Sequence, residues 1–254
     1  MPGYVDLHSH FLPGVDDGAQ TLSESLAICS GLLEIGFGMV VATPHIRAAM
    51  FENTKSGLSG AYRAFLAEVA ERTDMPETGL AAEYFCNDLF WRLLEEDDLL
   101  FYPVADEAES KRAHRGVRAR AVLVESPYEK LPVRVEHRFF EMVVRGIHPV
   151  LAHPERYFFL HRETEPIDRM LEGGTLALLD IKALVGRHGA KSQRAAERML
   201  DEGVYFAASS DAHHPEDVAL VARGIERLES RLGEEECRQL LADNPRRILL
   251  GDLG

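Results

Sequence analysis

The stretch YVDLHSH, residues 4–10, places two histidines directly after a short apolar run. Short runs of this kind alternate along the chain with longer amphipathic segments. The alternation is typical of parallel β-strands joined by α-helices. It predicts seven strands, at Tyr4–Leu7, Met39–Thr43, Leu80–Tyr84, Ala121–Glu125, Pro149–Ala152, Leu176–Ile181 and Val204–Ala208.

Helices are predicted between these strands, near residues 21–35, 58–72, 87–96, 133–145, 165–172, 191–202, 215–231 and 234–242. Thr21 and Glu24 have the spacing of a capping box at the start of the first helix. Four glycines stand where a helix should end: Gly36, Gly146, Gly173 and Gly203. The charged segment Ala105–Arg120 has no apolar face and is predicted to be a long exposed loop. Because neither a repeat nor a linker interrupts the pattern, residues 1–254 are predicted to form a single domain.

The composition is that of an ordinary globular protein, with 46% hydrophobic and 28% charged residues. A formal net charge of -14 disfavours a broad nucleic-acid surface, although bound divalent cations would leave phosphate substrates possible. The N-terminus lacks the pattern of a secretory signal, and no apolar stretch approaches ~20 residues. Cys29, Cys86 and Cys237 are too scattered for a disulfide framework. We therefore expect a cytoplasmic protein without membrane insertion and without a nucleic-acid partner.

Metal-capable side chains are concentrated at one end of the predicted strands: His8, His10, His45, Glu83, Glu125, His153, Asp211 and His213. In a parallel barrel the carboxyl ends of the strands meet on one face, so these residues should be neighbours. The two-residue spacing within each of the pairs His8–His10 and Asp211–His213 directs both side chains to the same side of an extended chain. Core or surface histidines do not explain so many coincidences, and the pattern predicts a metal site.

The kind of ligand indicates the chemistry of this site. Imidazole and carboxylate groups without thiolate favour manganese, iron or zinc over calcium, and a shared carboxylate can hold several ions close together. Such a multinuclear centre is suited to hydrolysis, because the ions lower the pKa of bound water and neutralise charge on a transferring phosphoryl group.

Longer motifs around these residues resemble the PHP (polymerase and histidinol phosphatase) superfamily. Within it, the chain is similar to the tyrosine-protein phosphatases of bacterial capsule and exopolysaccharide operons. The resemblance covers residues 5–249 and is carried by DLHSHFLPGVDDG at 6–18, ATPHIRAAMFE at 42–52, AAEYF at 81–85, VLVESPY at 122–128, PVLAHPERY at 149–157, ASSDAH at 208–213 and NPRRIL at 244–249.

The resemblance implies an α/β fold, a distorted seven-stranded (β/α) barrel of the PHP type, with three divalent transition-metal ions. Manganese is the expected metal, and iron and zinc are the alternatives. The first ion would be held by His8, His10, Glu83 and Asp211. The second would share Glu83 and add Glu125 and His153, and the third would be held by Asp17, His45 and His213.

The same resemblance implies a protein-tyrosine phosphatase in which a metal-bound hydroxide attacks the phosphorus. Arg156 would bind the phosphate oxygens, Arg47 would contribute at the entrance, and Asp211 would be essential to the reaction as a ligand. The expected partner is a phosphotyrosine protein, namely the tail of a bacterial tyrosine kinase that controls capsule or exopolysaccharide synthesis. The alternatives are a small-molecule phosphatase, such as one acting on histidinol phosphate, and a non-catalytic regulatory protein of the same superfamily.

The sequence departs from the family pattern at two places. The family has an arginine shortly after the Asp-x-His pair, whereas here the first arginine after His213 is Arg223. The charged loop at 105–120 is the other departure, and its basic run Lys111–Arg120 is interpreted as a solvated loop rather than a partner site.

Several other residues have competing interpretations. Asp16 is a weaker ligand candidate than Asp17, and the two are separated only by the family match. Cys86 and Arg92 have the C-x5-R spacing of cysteine-dependent phosphatases, but the residues between them are bulky, lack glycine and lie on a predicted helix. His214 is expected to point away from the site. The remaining histidines are interpreted as structural or solvated: His114, His137, His148, His161 and His188.

Overall fold

The structure, a computed structural model, describes residues 3–103, 119–162 and 164–253. Most of the predicted charged loop, residues 105–118 of Ala105–Arg120, and the prediction made for His114 therefore lie outside the described residues.

All strands in the described part of the chain are parallel and form two sheets. The first sheet has the order β1-β2-β4, and the second has the order β3-β5-β6-β7-β8-β9. The strands are β1 Tyr4–Ser9, β2 Phe37–Ala42, β3 His45–Ile46, β4 Glu77–Leu80, β5 Glu83–Phe85, β6 Arg120–Glu125, β7 Ile147–Ala152, β8 Leu176–Asp180 and β9 Ala207–Ser209.

A strand lies in each of the seven predicted regions, and β3 is an additional short strand just beyond the second region, Met39–Thr43. The division between β2 and β3 falls at Thr43 and Pro44, where proline has no N–H to donate to a sheet. A second division separates β4 from β5 within the third region. Backbone hydrogen bonds continue across both divisions, from Ala81 N to Ala42 O at 2.8 Å and from Glu83 N to Pro44 O at 3.2 Å.

The two sheets are joined where β1 meets the end of β9. Asp211 N donates to His8 O at 2.8 Å, and His10 N donates to Ala212 O at 2.8 Å. Ser9 and Ala212 form a parallel bridge at this point. The strands therefore close into a distorted (β/α) barrel, as the sequence predicts, and the closure brings the first and last predicted ligands together.

The α-helices of the described residues surround the strands, at Leu22–Glu34, Lys55–Val69, Asp88–Glu95, Val135–Val144, Glu165–Glu172, Gly189–Asp201, Asp217–Leu232, Glu234–Arg238 and Asn244–Leu250.

The capping box of Thr21 and Glu24 is confirmed. The predicted helix 234–242 is α-helical only to Arg238 and continues as a π-helical turn, Gln239–Asp243. At the predicted helix end Gly173 has φ -78°, and the next residue, Gly174, takes the left-handed conformation with φ 93°. None of the described helices is long and apolar enough to cross a membrane.

Two apolar clusters pack on opposite faces of the strands. Alternate residues such as Val5, Leu7 and Leu123 form the smaller cluster together with Ile248 and Leu249 of the last helix. The larger cluster lies between the other face of the strands and the surrounding helices. The last helix lies near the amino ends of the strands, since Ala119 N, just before β6, donates to Gly251 O at 3.3 Å. The opposite ends of the strands are thus left for the functional site.

Candidate metal centre

The structure brings the nine predicted ligands together at the carboxyl ends of the strands. Seven of them line a cleft of about 430 Å³: Asp17, His45, Glu83, Glu125, His153, Asp211 and His213. His8 and His10 are buried next to the cleft, with 1% and 0% of their surface exposed. Arg47 and Arg156 line the same cleft. The sequence-based grouping of these residues thus corresponds to one continuous site.

The centre of the cluster joins two imidazoles to two carboxylates. The Nε2 atoms of His8 and His10 lie 3.1 Å apart. Both face Glu83 Oε2, at 3.3 and 3.5 Å, and Asp211 Oδ1, at 3.3 and 3.6 Å. Glu83 Oε2 and Asp211 Oδ1 are buried, and neither has a hydrogen-bond partner among the described residues. Because buried anionic oxygens without partners are costly, this donor set fits a bound cation.

Both carboxylates are ionised at this site. Burial by itself would raise the pKa of Glu83, but the neighbouring His8 and His45 hold it well below its usual range. Burial also opposes ionisation of Asp211, and the charges of Lys182 and His8 lower its pKa well below the usual value. An ionised carboxylate is the form that binds a metal.

Asp16 orients two of the candidate ligands. Its Oδ2 accepts a hydrogen bond from His10 Nδ1 at 2.7 Å and from the backbone N–H of His45 at 3.0 Å. Burial would raise the pKa of Asp16, but the charge of His10 and the hydrogen bonds lower it to about 2. When a metal binds, the His10 ring is neutral, and a neutral ring that donates from Nδ1 to Asp16 presents its Nε2 lone pair to the ion.

Asp17 faces a different set of side chains from Asp16. Asp17 Oδ1 lies 3.5 Å from His45 Nε2 and 3.7 Å from His213 Nε2. His213 Nδ1 donates to the backbone carbonyl of Asp211 at 3.0 Å, which leaves Nε2 as the acceptor nitrogen. Burial and the charge of His10 lower the pKa of His213 to about 4, so the ring is neutral. The ligand atoms of Asp17, His10, His45 and His213 lie within 4.8 Å of one another.

Glu83 is shared between several groups of ligand atoms. One group within 4.8 Å contains Glu83, His8 and His153, and another contains Glu83, His45 and Glu125. The shortest of these contacts, 3.0 Å, joins His45 Nδ1 to Glu83 Oε2, and His153 Nε2 lies 3.1 Å from Glu83 Oε1. Among the described residues, no such group holds Glu125 and His153 together; Glu125 Oε2 instead lies 3.5 Å from Arg47. The position of Glu83 fits the bridging role that the family resemblance implies.

Two candidate ligands have a strained backbone. His153 has φ 35° and Asp211 has φ 45°, in the left-handed region that side chains other than glycine rarely adopt. The Asp211 backbone is held on both sides, because its N–H donates to His8 O and its carbonyl accepts from Lys182 Nζ. Strain of this kind is concentrated at functional sites, where it directs a side chain.

Two arginines provide positive charge in the cleft. Arg156 lies 3.4 Å from Asp211 Oδ2, and its guanidinium carbon is 5.3 Å from the centre of the Tyr128 ring. Arg47 lies over the ring of Phe85 at 3.9 Å. Although burial opposes it, the charge of Asp211 raises the pKa of Arg156, so the guanidinium stays charged.

Sequence analysis missed a charged group beyond the end of β8. Lys182 is 2% exposed and lies 3.8 Å from Asp180 Oδ2, 3.8 Å from Asp211 Oδ2 and 4.0 Å from Asp217 Oδ2. It follows a strand end as the predicted ligands do, but the metal-ligand pattern contains only histidine and carboxylate side chains. Lysine does not bind metal, and here it neutralises the carboxylates around Asp211.

Two histidines are placed differently from the prediction. His188, interpreted as structural or solvated, lines the cleft and contacts Asp180. His214 also lines the cleft, although it was expected to point away from it. Both lie in loops, His188 just before helix Gly189–Asp201, and loop geometry cannot be derived from periodicity.

Cys86 is not placed to act as a nucleophile. It is buried, and burial raises the pKa of its thiol to about 12, so the reactive thiolate is absent at neutral pH. Arg92, the other end of the C-x5-R pattern, is exposed on helix Asp88–Glu95. The structure agrees with the interpretation that this spacing is accidental.

Comparisons with known proteins agree with this architecture. A family model described as capsular polysaccharide synthesis, CpsB/CapC, matches residues 4–250. The tyrosine-protein phosphatase YwqE of Bacillus subtilis (strain 168) is 25% identical over 211 residues, which are 83% of this chain and 77% of that protein. The tyrosine-protein phosphatase CpsB of Streptococcus agalactiae is 25% identical over 254 residues, covering 96% of this chain and 98% of the relative.

Solved structures show the same fold. One structure, described as that of YwqE from Bacillus subtilis and CpsB from Streptococcus pneumoniae, unique metal-dependent tyrosine phosphatases, superposes with a TM-score of 0.83 at 20% identity. The match covers 97% of this chain and 94% of that chain. The phosphotriesterase homology protein from Escherichia coli, with phosphate in its active site, gives a TM-score of 0.60 at 12% identity and covers 98% of this chain and 99% of its own.

Proposed function

Because the chain belongs to the CpsB/CapC family of capsular polysaccharide synthesis, we propose that it is a metal-dependent protein-tyrosine phosphatase. Its substrate is a cytoplasmic phosphotyrosine segment of a bacterial tyrosine kinase that controls capsule or exopolysaccharide synthesis. The observation that carries the proposal is the pair of buried, ionised oxygens without hydrogen-bond partners, Glu83 Oε2 and Asp211 Oδ1, in a cleft that also holds Arg156. Two of the relatives are named tyrosine-protein phosphatases.

We propose that the centre binds three divalent ions, with manganese expected and iron or zinc as alternatives. His8, His10, Glu83 and Asp211 would hold the first ion, Glu83, Glu125 and His153 the second, and Asp17, His45 and His213 the third. When bound, such ions supply an activated water and offset the negative charge of the phosphoryl group.

The protein's own cations hold the phosphate. The planar guanidinium of Arg156 can donate to two phosphate oxygens at once, and Arg47 adds a second positive charge in the cleft. Arg187 also lines the cleft and lies 3.6 Å from Asp217 Oδ1, with 48% of its side chain exposed. We assign to Arg187 the role of the arginine that the sequence lacks after His213.

The cleft also offers a surface for an aromatic ring. Met50, Phe51 and Tyr128 line it, and Phe51 stacks on the ligand candidate His45 with ring centres 5.1 Å apart. Apolar and aromatic side chains favour a phenyl group over a polar aliphatic one. This supports an aryl phosphate as the substrate, and the modest basicity of a phenolate makes it a good leaving group.

The proposal is tested with purified protein stripped of metal and reloaded separately with manganese, iron or zinc. Phosphate release is measured from a phosphotyrosine peptide, the same peptide with phosphoserine, and histidinol phosphate. We expect metal-dependent hydrolysis with a kcat/KM for phosphotyrosine at least about tenfold above the others. Faster hydrolysis of histidinol phosphate would favour a small-molecule phosphatase. A folded, metal-loaded protein that hydrolyses none of the three would favour a regulatory role.

A further inference from the structure

A second cavity lies beside the cleft and is lined by basic and aromatic side chains. It has a volume of about 660 Å³ and is formed by Phe158, Phe159, His161, Arg162, Lys191 and Arg194. We call it the basic pocket. None of its residues belongs to the predicted metal or phosphate site.

The cations of the basic pocket differ from the others around helix Gly189–Asp201. Arg162, Lys191 and Arg194 are exposed, and none forms an ion pair with a carboxylate of the described residues. By contrast, the acidic residues of this helix and its end are paired: Glu197 with Arg227 at 3.0 Å, Asp201 with Arg231 at 2.6 Å and Glu202 with Arg198 at 3.1 Å. In a protein with a net charge of -14, the pocket is therefore a local concentration of positive charge.

The positions of these cations do not stabilise helix Gly189–Asp201. Lys191 lies in the first turn of the helix, where the backbone dipole makes a cation unfavourable. The acidic residues of the same helix lie toward its other end, where they are also unfavourable without their partners. A charge arrangement opposed to the dipole indicates that the cations serve a ligand.

The basic pocket is connected to the phosphate site through two aromatic rings. Phe158 packs edge-on against Tyr128 with ring centres 6.1 Å apart, and Phe158 N donates to Tyr128 O at 2.8 Å. Tyr128 in turn lies 5.3 Å from the guanidinium carbon of Arg156. The Phe158 ring centre is therefore at most about 11 Å from the guanidinium carbon of Arg156. A peptide of three to four extended residues, at ~3.3 Å each, has this length.

We propose that the basic pocket binds acidic side chains of the protein substrate, three or four residues from the phosphotyrosine. The inference rests on the proposed function and adds a sequence preference to it. Arg162, Lys191 and Arg194 attract the carboxylates, while the ring of Phe158, 54% exposed, contacts the peptide between them and the phosphotyrosine.

The test uses fluorescent phosphotyrosine peptides in two matched pairs. In one pair, the third and fourth residues before the tyrosine are both glutamate or both glutamine. In the other pair, the same substitution is made at the third and fourth residues after the tyrosine. Affinity is measured by anisotropy with metal-free protein, and kcat/KM with metal-loaded protein. For one side of the tyrosine, we expect the acidic peptide to be preferred by about three- to tenfold, and added salt to weaken the preference. In the double variant Lys191→Gln/Arg194→Gln, the acidic and glutamine peptides should have about equal affinity and kcat/KM.

A matched control separates this effect from net charge. Arg63→Gln/Arg223→Gln removes two exposed cations outside the pocket and should keep the preference. Both double variants should hydrolyse a small aryl phosphate as the unmodified protein does, since that substrate does not reach the pocket. An acidic preference that is absent, or that survives Lys191→Gln/Arg194→Gln, overturns the inference. If no phosphotyrosine substrate is hydrolysed, the proposed function fails, while the anisotropy comparison still decides whether the pocket binds acidic peptides.

Discussion

Arg156 combines the two properties that phosphate recognition requires, a permanent charge and a position at the wall of the cleft beside Asp211. A planar guanidinium gains strength as negative charge accumulates on the phosphoryl oxygens in the transition state. Lysine keeps the charge but is a point donor without the bidentate geometry. The shape of the group, and not its charge alone, should therefore decide activity.

We predict that Arg156→Ala and Arg156→Lys both lose on the order of 10- to 1000-fold in kcat/KM, on phosphotyrosine peptides and small aryl phosphates alike. Metal content, measured by elemental analysis, should not change, because Arg156 is not a ligand. Near wild-type activity in Arg156→Ala would place phosphate recognition on other cations, with Arg47 and Arg187 as the next candidates.

The two possible nucleophiles are separated by a second pair of substitutions. Cys86→Ser should keep nearly full activity, because the buried thiol is protonated and water is the nucleophile. Asp211→Ala should abolish turnover, since it removes a central carboxylate of the metal cluster. Circular dichroism and metal analysis check that both variants fold. A folded Cys86→Ser variant that keeps its metal but is inactive would contradict the hydrolytic mechanism.

Sequence analysis located eight of the nine ligand candidates because they lie at strand ends, a signal that needs no knowledge of contacts, whereas Asp17 came from the family resemblance. It could not show which neighbours orient them. Asp16 and Asp17 are adjacent in sequence, and only the structure shows that Asp16 bonds His10 while Asp17 faces His45 and His213. Lys182 also follows a strand end, but it is not a metal ligand, and only the structure shows the carboxylates around it.

At the scale of elements, the loop between β1 and the first helix is shaped by close backbone contact. Gly18 packs against the end of β1, and a Cβ atom there would lie 2.0 Å from the carbonyl oxygen of His10. Gly18 N also donates to Asp16 Oδ1 at 3.0 Å. The glycine thus allows the loop to return to the strand and to present Asp16 and Asp17 to the site.

We predict that Gly18→Ala forces the loop away from β1 and lowers both metal affinity and activity, with a loss of stability of ~1–3 kcal/mol. The matched control is Gly60→Ala within helix Lys55–Val69, where the new Cβ would meet nothing within 4 Å. That variant should gain ~0.5–1 kcal/mol from helix propensity and keep full activity. Isothermal titration with manganese and thermal unfolding provide the two readouts. Unchanged metal binding in Gly18→Ala would show that the loop does not position the site.

The elements themselves were predictable where periodicity was strong, and less so where short irregular pieces interrupt it. The predicted strands are present, but β3 was not predicted, because it has only two residues after Pro44 and pairs in the other sheet from β2. Helix Asn244–Leu250 was noticed only as a motif, since seven residues contain too few turns for a clear amphipathic pattern. Its packing with Val5 and Leu7 depends on tertiary contacts that the local sequence does not contain.

At the scale of the whole molecule, the metal cluster lies where the barrel closes. His8 lies near the carboxyl end of β1, Asp211 follows β9, and a backbone hydrogen bond from Asp211 N to His8 O joins these two segments. Bound ions would therefore connect segments about 200 residues apart in sequence and neutralise the buried carboxylates that now lie side by side. Metal binding should stabilise the entire barrel and not only the cleft.

We predict that chelation lowers the thermal midpoint of unfolding. An ion at 100 times its Kd stabilises the folded state by ~2.7 kcal/mol, which corresponds to a shift of roughly 5–10 °C for a domain of this size, and several ions should give more. Asp211→Asn keeps the shape of the side chain but removes a ligand charge, so its midpoint should respond much less to manganese. Differential scanning calorimetry with chelator and at several manganese concentrations makes the comparison. Because stabilisation by a ligand grows with the logarithm of its concentration, a midpoint that stays the same across the series would mean that the clustered imidazoles and carboxylates do not hold a metal in the folded protein.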